Sequence, residues 1–68
     1  MNATDRAIDR LNEFKMKTQN NINALQKYMK YEMTSVGRIG LEEQIKIYKW
    51  TLTNIEKVLD EFRDYMSN

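Results

Sequence analysis

Between Leu41 and Met66 an apolar side chain recurs at every third or fourth position: Leu41, Ile45, Tyr48, Leu52, Ile55, Leu59, Phe62 and Met66. The steps alternate four and three without a miss. That heptad spacing puts all of these side chains on one stripe of an α-helix, and neither proline nor glycine interrupts the stretch. A stripe this long and regular has to be buried. The rest of the chain is read by asking what covers it.

The first half supplies a second stripe. Ala7, Leu11, Phe14, Thr18, Ile22, Leu25, Met29, Met33 and Val36 follow helical spacing, with Ile8 and Tyr28 flanking. The steps approach an eleven-residue repeat, the signature of a nearly straight helix. Asn2 is expected to cap this helix, with Asp5 in the first turn near the positive end of the dipole. Its weak patch is Lys15 to Asn21, where asparagine and threonine lower helix propensity.

The only glycines, Gly37 and Gly40, lie at mid-chain, where the apolar phase also slips by one between Val36 and Leu41. Gly37 suits the left-handed position that ends many helices, and Gly40 can precede a new helix carrying Glu42 and Glu43 in its first turn. The pattern therefore predicts one all-α domain over residues 1–68: a helix over about 3–35, a loop over about 36–40 and a helix over about 41–66, folded as an antiparallel two-helix hairpin. Leu11, Phe14, Ile22, Leu25 and Met29 are expected to face the stripe from Leu41 to Met66. Ala7, Phe14 and Tyr28 on one helix, and Val58 and Tyr65 on the other, are flanks that a single partner helix leaves uncovered. A second hairpin would cover them, which predicts a homodimeric four-helix bundle. A different protein filling the same groove is the alternative.

Composition narrows the chemistry. A chain of 68 residues buries little surface, and with no cysteine it has neither disulfides nor thiolate metal sites. Without histidine it also lacks the commonest metal ligand and general base. The carboxylates Asp5, Asp9, Glu13, Glu56, Asp60, Glu61 and Asp64 interleave with Arg6, Arg10, Lys17, Lys57 and Arg63 at helical spacings. This reads as a solvated charged face, not an acid–base pair. No phosphate-binding glycine loop and no nucleophile beside a base is present. A non-enzymatic chain with no cofactor and no metal is expected. No apolar run approaches the length of a membrane span, and Met1 to Arg6 lacks the order of a secretion signal, so a cytoplasmic protein with no membrane partner is expected. The abundance of Asn, Lys, Ile and Tyr is the usage of an AT-rich genome, as in a phage or mobile element of low-GC bacteria.

Charge is segregated along the chain. Residues 1–14 carry a net −1 and residues 50–68 a net −2, whereas residues 15–49 carry +4. A hairpin turns this into an acidic terminal end and a basic turn half, which two copies packed head to tail would neutralise. Within the basic half, Tyr31, Ile47 and Trp50 fall off the core stripes, near Lys27, Lys30, Lys46 and Lys49. Aromatic and aliphatic groups among cations resemble the centre of a protein-binding surface. A regulator or inhibitor that docks on one larger protein is the leading reading. Nucleic acid stacked on Tyr31 and Trp50 ranks second, because net charge is near zero. A purely structural oligomerisation module is the third.

Overall fold

The structure, a computed structural model, describes residues 3–66 and the backbone of Ser67. It is an antiparallel pair of helices, α1 over Ala3–Met29 and α2 over Ser35–Ser67, packed against each other along their length. The Cα envelope measures 51 × 17 × 13 Å. The long dimension is that of α2 itself, at about 1.5 Å per residue. The cap expected at Asn2 lies outside the described residues.

The break between the helices falls at residues 30–34 and not at 36–40. α1 closes with two tightened bonds, Lys30 N–H to the Lys27 carbonyl and Tyr31 N–H to the Tyr28 carbonyl. α2 then starts six residues before the expected Leu41, on a side-chain cap. The Thr34 hydroxyl accepts from Gly37 N–H at 3.0 Å, and the Thr34 carbonyl accepts the first helical bond, from Arg38 N–H at 3.1 Å. Both glycines therefore lie inside α2, and neither has a positive φ. The cap at Thr34 decides the boundary. A glycine in a helix interior costs only about 1 kcal/mol relative to alanine, too little to force a break.

α2 is 33 residues long and α1 is 27, so Ser35 to Gly40 overhangs the end of α1. The phase slip before Leu41 has its explanation here. Met33 and Val36 lie on the turn and the overhang, almost fully exposed, and do not continue the α1 stripe.

The seam between the helices is narrow. Ile22, Ile45, Ile55 and Leu59 are buried, as is Thr18. Leu11, Leu25 and Met29 from α1, and Leu41, Tyr48, Leu52 and Phe62 from α2, are partly covered. On α2 this is the expected stripe up to Phe62, with Met66 beyond it and exposed. On α1 the seam differs from the expected stripe. From Ile8 onward the covered positions are Ile8, Leu11, Lys15, Thr18, Ile22, Leu25 and Met29, a strict heptad series, while in the first turns Thr4, Asp5 and Ala7 are partly covered too. Lys15 occupies the place expected for Phe14, which is half exposed. The reason is geometric: α2 presents a heptad stripe, and only a heptad row on α1 stays level with it along the whole hairpin. Lys15 Nζ reaches Glu56 Oε1 across the seam at 3.9 Å. With those two residues level, equal rise brings Leu11 opposite Leu59, Ile22 opposite Tyr48 and Met29 opposite Leu41, to within about one residue. Thr18 hides its hydroxyl by donating to the Phe14 carbonyl at 2.7 Å, and no buried side-chain polar atom among the described residues lacks a partner.

Candidate interaction surface

Three features stand outside the seam: a capped turn, a tryptophan patch on α2, and an apolar row along one side of the hairpin. The turn is built around Glu32. Its carboxylate accepts from the Thr34 N–H at 3.0 Å and from the Thr34 hydroxyl at 2.9 Å, while Arg38 reaches the Glu32 carbonyl at 3.5 Å. The backbone bond from Thr34, then its hydroxyl, hold the Glu32 carboxyl below its ordinary value of 4.5, and the Arg38 charge acts in the same direction. The carboxylate lies against Gly37, where any Cβ would press on it at 2.6 and 2.7 Å from its two oxygens. Gly37 thus leaves room for the carboxylate to sit against the helix, a different role from the left-handed one expected of it. A negative group over the first turn of α2 also suits that helix's dipole. Sequence reasoning passed over this cluster. Its signal was Thr34 followed three residues later by the N–H it caps.

Trp50 is 70% exposed and Ile47 61% exposed. Together with Glu43 and Lys46 they line one shallow depression on the outer side of α2. Lys46 pairs there with Glu43 at 3.5 Å. Tyr31 belongs to a second depression, at the turn, with Tyr28, Gly37, Gly40, Leu41 and Gln44. The expected constellation is therefore divided: Ile47, Trp50 and Lys46 come together, and Tyr31 does not join them. Lys27, Lys30 and Lys49 are exposed but line neither depression. By helical angle Lys49 lies on α2 toward the opposite side from Ile47, and Lys27 lies on the side of α1 turned away from α2.

The third feature is a single apolar side. Ala7, Phe14 and Tyr28 are spaced by multiples of seven, with Asn21 in the same row, and so are Thr51, Val58 and Tyr65, with Gln44 in theirs. At about 100° per residue each set forms a row roughly a quarter turn from its own seam, displaced in the same sense on both helices. Facing antiparallel helices are related by a twofold axis normal to their common plane, which keeps equal offsets on the same side. Two surface depressions on that side agree: Tyr28 lines one with Gly40 and Gln44 across the two helices, and Val58, Phe62 and Tyr65 line the other. The opposite side holds Asn12, Gln19, Asn23, Thr53, Asp60 and Met16. The Gln19–Asn23 hydrogen bond and the Lys15–Glu56 and Arg63–Asp60 pairs lie there.

Among the described residues no cluster of three or more carboxylates could hold a metal ion, and no helix is long and apolar enough to cross a membrane. Comparison of the chain with protein-family models, with curated proteins and with solved structures finds no match.

Proposed function

We propose that this chain is a small, non-enzymatic, protein-binding regulator that docks on one larger protein and itself forms a homodimeric four-helix bundle. The observation that carries the docking is Trp50, more than two-thirds exposed beside Ile47 and Lys46 on the outer side of α2. A large indole held in water on a rigid helix contributes nothing to the seam. Its burial against a partner removes about 150–250 Å² of aromatic surface at little cost in side-chain entropy. Glu43 and Lys46, paired with each other, give the patch a polar edge of both signs.

The test is capture by the immobilised chain from a cell lysate, with the bound protein identified and then purified. Trp50→Ala should lose that protein, and Met16→Ala, on the polar side, should keep it. Retention by Trp50→Ala removes the tryptophan patch as the docking site. Binding of nucleic acid that weakens steeply with salt would move the reading to that class instead.

A further inference from the structure

We propose that a second copy of this chain covers the apolar side of the hairpin, the side of Ala7, Phe14, Tyr28, Val58, Phe62 and Tyr65, with the two turns at opposite ends. The inference deepens the homodimer proposed above and rests on it. It assigns the contact to one side of the hairpin, and leaves the polar side and Trp50 free.

Three observations choose a second copy as the occupant. The first is area. One chain exposes 5,666 Å², whereas a compact monomer of 8.2 kDa exposes about 4,500 Å². A compact dimer of twice that mass exposes about 7,500 Å², so pairing must bury about 3,800 Å² in total, inside the range of obligate homodimers. The second is the sidedness itself. Phe14 is 50% exposed and Tyr65 77%, and they share one side with Tyr28 and Val58, whereas the other exposes Met16 and, on the overhang of α2, Ile39. A face that meets itself across a twofold axis needs this arrangement and no second patch. The third is charge. The terminal end is acidic and the turn half basic, so a head-to-tail copy sets −3 from residues 1–14 and 50–68 beside +4 from residues 15–49 at both ends. With the turns at the same end, like charges would coincide. At full overlap, Tyr28 comes level with Val58 of the second copy, to within about one helical turn. The uncovered flanks then cover one another.

Sedimentation equilibrium tests the face, and a distance between spin labels tests the arrangement. Wild type should be a dimer. Phe14→Glu and Val58→Glu each place a charge in the contact and should weaken association by about 100-fold or more, whereas Met16→Glu should leave it unchanged. A nitroxide on Met33→Cys, at the exposed turn, should report a separation between copies close to the 51 Å hairpin length. This second readout leaves the apolar side intact, so it holds even where the charged variants unfold. A wild-type monomer at every concentration overturns the homodimer itself. A dimer that survives both glutamate substitutions overturns the face and leaves the homodimer standing. A label separation below about 25 Å places the turns together and overturns the head-to-tail packing.

Discussion

Lys15 occupies a heptad position between two helices, and replacing it tests whether the seam has been placed correctly. Its side chain is 42% exposed, so somewhat more than half of it is covered by the hairpin. Full burial of a leucine side chain stabilises by about 1.5–3 kcal/mol, and a site with this degree of cover should return about 1–1.5 kcal/mol. Against that stands the loss of the Lys15–Glu56 pair, which at 3.9 Å and half exposure contributes about 0.2–1 kcal/mol. Leucine and lysine have nearly equal helix propensity, so that term cancels. Lys15→Leu should therefore stabilise the fold by up to about 1.3 kcal/mol, which in a domain of this size raises the midpoint by up to about 10 °C. Thermal and urea unfolding followed by circular dichroism at 222 nm measure it. Lys17→Leu is the matched control. It makes the same change at an exposed position and should gain nothing. A loss of stability in Lys15→Leu, or an equal gain in Lys17→Leu, would refute the heptad assignment of α1. It would return the seam to the Phe14 row.

Ile22 is 2% exposed, and Ile22→Ala should cost about 2–5 kcal/mol, enough to leave a hairpin this small largely unfolded by circular dichroism. Thr34→Ala removes the hydroxyl that caps α2, and urea titration should show a loss of about 1 kcal/mol. The Glu32 carboxyl is depressed in the folded chain, so its stabilising contribution is present above its ordinary value of 4.5 and is lost as pH falls through the folded value. Glu32→Gln should flatten the dependence of stability on pH in that acid window. An unchanged pH profile would mean the carboxylate does not hold the turn.

Much of the fold is legible in the residues because helical periodicity is a local property. The heptad run from Leu41 to Phe62 becomes the α2 side of the seam with no change of register. The absence of proline and the pairing of two amphipathic stretches already imply two helices back to back. The turn was less legible, since glycine is a weak signal beside a threonine hydroxyl that caps a helix directly. The candidate surface was legible in its residue types and not in its grouping. Trp50 and Ile47 are adjacent because they lie on one helix, whereas the place of Tyr31 depended on where the turn fell.

What periodicity alone could not decide was which of two overlapping rows on α1 faces inward. Leu11, Thr18, Ile22, Leu25 and Met29 belong to both readings, and the rows part at Ala7 and Ile8 and again at Phe14 and Lys15, where hydrophobicity favours the wrong residue. Packing against α2 selects Lys15, since a partner helix constrains phase over its whole length and a single side chain does not. Once Lys15 turns inward, Phe14 joins Tyr28 on the side shared with Val58 and Tyr65. The chain's own residues thus determine a helical hairpin, and the contact between its helices determines which side of it remains apolar and open.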